Sequence, residues 1–158
     1  PASNLLGNVG EAIDVIEMTI DKAALAVCAE AVGAMEMSLT KTVEYSKIRK
    51  QFKVTLSTFQ ALQHRMANTF IELAQAKSVL LMAAMEMDSL SGRAPKAVSA
   101  AKSRIGKAAR LVGEESIQIH GGIGVTDELD VGHYFKRLTA IQFLFGSTDH
   151  HTARFAAS

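Results

Sequence analysis

From Ile13 onward, apolar side chains return at three- and four-residue spacing through Ile16, Ile20, Ala24, Val27, Ala31 and Met35, and on to Leu39 and Val43. A half-buried strand repeats every second residue, so this period predicts a single helix of about thirty residues or more. Ala23, Ala24, Ala26, Ala29, Ala31, Gly33 and Ala34 crowd its middle, where small side chains let neighbouring helices come close. A helix of that length needs long partners to cover it. The rest of the chain supplies them.

A second stripe runs through Phe59, Leu62, Met66, Phe70, Leu73, Ala76, Leu80, Ala84 and Met87. Ser57-Thr58-Phe59-Gln60 reads as its capping box, with Ser57 as N-cap and Gln60 at the third helical position. Asp88-Ser89-Leu90-Ser91-Gly92 has the composition of a helix end and turn. Pro95 suits the first turn of a third helix through Ala101, Ile105, Ala108, Val112 and Ile117. That helix runs into Gln118-Ile119-His120-Gly121-Gly122-Ile123-Gly124, where glycine permits positive φ and close approach of a ligand to the backbone. Thr126-Asp127-Glu128 offers caps for a short element through Val131, Tyr134 and Leu138, and a last helix starts near Ser147. Val54-Thr55 and Val125-Thr126 are too short for a sheet. The expected architecture is all-α: an antiparallel up-down four-helix bundle with short additional C-terminal helices, one domain over residues 1–158.

Seventeen basic residues face 16 acidic ones, a formal charge of +1, which gives no general case for nucleic acid. No uninterrupted apolar run reaches roughly 18 residues, so no membrane span is expected. The one cysteine, Cys28, lies in an apolar segment and reads as a buried thiol in a reducing, cytoplasmic setting. No Glu-x-x-His pair is present for a bundle metal site, and the adjacent His150 and His151 point apart on a helix, so no metal is expected. The glycines follow a helix and not a strand, which excludes a Rossmann dinucleotide site. Charge is concentrated locally, in Lys41, Lys47, Arg49, Lys50 and Lys53 against Glu44. Arg49 and Phe52, one turn apart, could present a guanidinium beside an aromatic face, an arrangement suited to a phosphate next to a stacked ring.

Arg49-Lys50-Gln51-Phe52, Phe59-Gln60 with Gln63, Ala101-Lys102, Gln118 to Gly124 and Glu128 together resemble the acyl-CoA dehydrogenase family, with matching gaps between the blocks. The resemblance covers essentially the whole chain, but only as the C-terminal helical domain of a larger flavoprotein. It implies dimers or tetramers with FAD bound across a subunit interface. Arg49 and Phe52 match the motif that meets the adenosine diphosphate part of the neighbour's FAD, and Gln60 matches a residue near the adenine. Gln118, Gly121 and Gly122 match the turn approached by pyrophosphate and ribose, and Ser147 and Thr148 fall at a further FAD contact. The implied reaction is α,β-dehydrogenation of an acyl-CoA, with an electron-transfer-flavoprotein-type acceptor.

The family's usual carboxylate base aligns with Phe145, and its second known position aligns with Ala23. Neither is acidic. Asp21, two residues from Ala23 and on another face of the helix, is the nearest candidate for a displaced base. Lys53 replaces a family glycine, and Lys136-Arg137 replaces an Arg-Asp pair. Three readings follow: a catalytic acyl-CoA dehydrogenase using another base, a non-catalytic subunit of a heteromer with a paralogous partner, or a ligand-free structural bundle. The 158-residue stretch by itself is expected to be inactive.

Overall fold

The structure, a computed structural model, describes residues 1–5, 7–89 and 92–158. Helix α1 spans Ile13–Ile48, followed by β1 (Lys50–Gln51) and β2 (Val54–Thr55); then come α2 (Gln60–Asp88), α3 (Ala94–His120), α4 (Val131–Ile141) and α5 (Thr148–Ala157). Leu90 and Ser91, in the expected turn after α2, lie outside the described residues. Pro95 does sit in the first turn of α3.

The bundle is up-down-up-down, and cross-helix ion pairs fix its order. Lys77 on α2 meets Glu36 on α1 at 2.7 Å, and Arg104 on α3 pairs with Glu72 on α2. The fourth position is filled by two helices in line. Helix α4 covers the later part of α1 through Arg137–Glu30 and Lys41–Asp130, and α5 packs on α3 and reaches the earlier part of α1 through the Arg154–Asp21 pair. The fourth helix is thus broken over residues 142–147. Ala24, Cys28, Ala31 and Met35 of α1 have no exposed surface and pack against Leu73, Ala76, Ala101, Ile105, Val112, Leu138 and Ile141. Helix α1 is long and apolar enough on average to cross a membrane, though charged residues interrupt its apolar run, and here its middle is the core of the bundle.

Two local expectations need correction. Ser57 does not cap α2: it lies in a 3₁₀ turn over Leu56–Thr58, and Phe59 takes the N-cap position with no side-chain bond. The hydroxyl of Ser57 meets that of Thr55 at 3.1 Å, and its carbonyl accepts from Gln63 Nε2 at 2.8 Å. Val54-Thr55 does enter a sheet, a two-residue antiparallel ladder in which Lys50 faces Thr55 and Gln51 faces Val54. The connecting residues, Phe52 and Lys53, have φ of 53° and 69°. Positive φ at both positions matches the right-handed twist of a tight hairpin, but it strains residues that carry a Cβ. Lys53→Gly is therefore expected to stabilise the fold by about 1 kcal/mol, raising Tm by roughly 2–4 °C in scanning calorimetry.

Candidate functional site

Helices α1 and α3 run parallel, so their C-terminal ends lie at the same end of the bundle. The backbone leaves α1 at Arg49, whose N–H donates to Tyr45 O at 2.8 Å and whose carbonyl accepts from Leu56 N at 2.9 Å. These bonds anchor the hairpin that carries Phe52. Phe52 is 87% exposed, and its ring meets that of Phe59 edge-on, at 6.3 Å between centroids. Among the described residues Arg49, Lys50 and Lys53 make no ion pair, unlike Lys41, which Asp130 holds at 3.1 Å. Phe52 is thus an exposed aromatic on a strained backbone, beside a guanidinium without an ion pair among the described residues.

Helix α3 ends at Gly121, with φ 67° and ψ −146°. A Cβ on Gly121 or Gly122 would meet nothing within 4 Å, so the turn opens onto free space. Gly124 is different: a Cβ there would lie 2.9 Å from the Cβ of His120, so packing demands glycine. Gln118 and Gln60 are exposed, and the failure of the expected capping box leaves Gln60 without a capping duty. Tyr45 ties the two pieces together. Its ring stacks on His120 at 4.4 Å, and its hydroxyl donates to His120 O at 3.4 Å. Arg49, Phe52, Gln118, Gly121 and Gly122 thus share one end of the molecule, linked through a residue that sequence reasoning passed over. Its only signal was a position one turn before Arg49.

Ser147 and Thr148 belong to a different place. They open α5 beside Lys102, which is eighteen residues before His120 on α3, roughly 27 Å of helix. Ser147 is the N-cap, its hydroxyl accepting from His150 N at 3.2 Å. Thr148 packs so closely on Gly106 that a Cβ there would lie 2.3 Å from the threonine hydroxyl. Between α3 and this turn is a cleft of about 320 Å³ lined by Lys107, Arg110, Gln142, Phe143 and Ser147.

Phe145 occupies the same turn with φ 55°, followed by Gly146 at 102°. The Phe145 ring is partly exposed, flanked by the exposed Phe143 and Leu144. Beneath it lies Lys102, 1% exposed, whose ammonium donates to Ile141 O at 3.0 Å, Gln142 O at 3.3 Å and Gly146 O at 2.9 Å. Burial lowers the Lys102 pKa, and burial raises that of the nearby Cys28 thiol to about 12, so Cys28 is an inert core residue. His151 is also buried, with Nε2 2.8 Å from Phe145 O. The carbonyl only accepts, so Nε2 carries the proton; burial depresses the pKa and keeps the ring neutral.

Ala23 is half-buried on α1. Asp21 is 3% exposed, and both its oxygens accept from the Arg154 guanidinium, Nη2 to Oδ2 at 2.9 Å. A carboxylate engaged on both oxygens is committed to structure and is not a free base. Of the basic residues that recur every third position on α3, Arg104 pairs with Glu72 and Arg110 with Glu114.

Comparison with known proteins agrees with the all-helical fold. The acyl-CoA dehydrogenase C-terminal domain family matches residues 10–158. Acyl-CoA dehydrogenase IpdE2 of Mycolicibacterium smegmatis is 41% identical over 128 residues, 80% of this chain and 39% of its own length. Butyryl-CoA dehydrogenase from Megasphaera elsdenii superimposes with a TM-score of 0.94 at 28% identity, covering 99% of this chain and 41% of that one. In the ChsE4–ChsE5 complex from Mycobacterium tuberculosis a chain matches with a TM-score of 0.83 at 26% identity, covering 87% of this chain and 37% of that one. The chain spans about two fifths of the length of these relatives.

Proposed function

The chain belongs to the acyl-CoA dehydrogenase family, matching its C-terminal domain, and on that premise we propose that it supplies half of an FAD site shared between subunits. One observation carries the reading: Arg49, without an ion pair among the described residues, and a strained, exposed Phe52 are tied through Tyr45 and His120 to a glycine turn facing open space. Arg49 would hold a phosphate through charge-assisted bonds, and Phe52 would lie against the nucleotide. Gly121 and Gly122 admit a pyrophosphate or ribose to the backbone, with Gln60 and Gln118 free to donate from their amides. Ser147 and Thr148 would serve a second contact, from the N-terminus of α5. FAD, when bound, supplies the hydride acceptor for α,β-dehydrogenation of an acyl-CoA.

Removal of the α-proton needs a positioned general base, which the family resemblance implies is a carboxylate. Positions 145 and 23 hold Phe and Ala, and Asp21 is spoken for by Arg154. These observations favour the version in which this chain is the non-catalytic subunit and a paralogous partner carries the base. The two-component ChsE4–ChsE5 complex, which contains a similar chain, supports it. An electron-transfer flavoprotein as acceptor and a reducing, cytoplasmic setting complete the reading, the latter resting on the lone buried Cys28.

The test is to express the full-length polypeptide alone and with its paralogue, then measure FAD content and flavin bleaching on addition of acyl-CoA. Bleaching is expected only in the mixed assembly. Flavin reduction by the chain alone would sink the non-catalytic version. Absence of FAD from both preparations would reject the cofactor reading and favour a ligand-free bundle.

A further inference from the structure

The turn at 142–147 is held from inside to a degree that its length does not require. Two side chains bind the carbonyls of Ile141, Gln142, Phe145 and Gly146. One of them, Lys102, is a fully buried ammonium that no carboxylate contacts among the described residues. Burying a lone charge is costly, and here carbonyl dipoles at the C-terminal end of α4 are what compensate it. The other, His151, stands at the end of a directed chain. Arg154 donates to Ser99 Oγ, 3.4 Å away, and the Ser99 hydroxyl lies 3.4 Å from His151 Nδ1. His151 Nε2 then donates to Phe145 O at 2.8 Å. With Nε2 protonated, Nδ1 is an acceptor, so every hydrogen in the series points from Asp21–Arg154 toward the turn, the sense in which successive bonds strengthen one another. Helices α1, α3 and α5 therefore all feed one backbone segment, whose residue 145 sits at φ 55°.

We propose that Lys102 and His151 are positioning residues: acting through backbone carbonyls, they set the direction of the side chain at position 145 and the start of α5 toward bound flavin. Strained backbone persists where its surroundings over-determine it, and these two residues are that surrounding. The functional half of the proposal rests on the cofactor reading above; the structural half does not.

The test uses hydrogen–deuterium exchange on the full-length chain, with and without FAD. Lys102→Met keeps an unbranched side chain of similar length but removes three charge-assisted bonds, so exchange at residues 142–150 is expected to rise about tenfold or more. Helix α2, which Lys102 does not hydrogen-bond, is expected to keep wild-type rates. His151→Phe, which preserves a ring but not the donor, is expected to give the same regional pattern. A rise shared equally by α2, or no rise at 142–150, overturns the proposal. In the FAD-loaded protein, Lys102→Met is expected to shift the visible flavin bands at unchanged FAD stoichiometry, since Arg49 and Gly121 are untouched. An unshifted spectrum beside raised exchange overturns the link to flavin. A wild-type chain without FAD rejects the cofactor reading instead, and the exchange result still judges the positioning.

Discussion

Replacing Arg49 with alanine is expected to strip the full-length protein of most of its FAD while leaving the fold intact. A charge-assisted bond to phosphate contributes about 1.5–3 kcal/mol, so affinity should fall roughly 10- to 100-fold. The fold should hold because the guanidinium has no ion-pair partner among the described residues; the structural work at this position is done by backbone bonds to Tyr45 and Leu56. Exposed substitutions of this kind usually change stability by less than about 0.5 kcal/mol. Equilibrium dialysis against FAD, with thermal unfolding as a control, separates the two effects. Equal FAD affinity in the variant and the wild type would mean that the basic end of α1 is merely solvated.

The second large effect is a gain. Phe145→Glu is expected to let the full-length chain bleach its own flavin with acyl-CoA, without a paralogous partner. A positioned general base contributes about 10²- to 10⁴-fold, so the change should be plain in a stopped-flow trace at 450 nm. The substitution should cost the fold little. Residue 145 is 43% exposed, its backbone is held by Lys102 and His151 through carbonyls that any residue has, and Glu inherits the same positive φ as Phe. Phe143 and Leu144 give the new carboxyl an apolar neighbourhood, which pushes its pKa upward toward the working range. A Phe145→Gln control of matched size should stay inert. If the Glu variant binds FAD and acyl-CoA yet remains unbleached, the turn does not face the reacting carbons.

Much of this architecture was legible because helices announce themselves by period. Ala24, Ala31, Leu73, Ala101, Ile105 and Val112 all reached the core. The same period misleads about what covers a stripe. Ile13, Ile16 and Ile20 remain 61%, 50% and 44% exposed, and Phe70 is 62% exposed, because spacing defines an apolar face without naming its cover. The hairpin escaped notice because Phe-Lys stands where a two-residue turn ordinarily has Asn-Gly or Asp-Gly. Ser57 and Gln60 satisfied a capping pattern whose geometry a preceding 3₁₀ turn removed. Lys102 belongs to the series Val98, Lys102, Ile105, Ala109, Val112, which sets it on the buried stripe of α3 although its residue type argues for the surface. Arg49, Phe52 and the glycines stand out in the sequence by residue type, and their proposed roles come from the family resemblance. The Tyr45–His120 link and the His151 chain do not stand out, since they depend on which helices become neighbours.

The Asp21–Arg154 pair joins residues 133 positions apart. A growing chain emerging at about 5–20 residues per second holds Asp21 without its counter-ion for on the order of ten seconds. Throughout that interval α3 lacks the cover of α5, and the buried Asp21 of α1 stays unpaired. The order of synthesis thus makes the last helix the step that closes the domain, and a nascent chain stalled before residue 148 is expected to be a client for chaperones rather than a partly finished bundle.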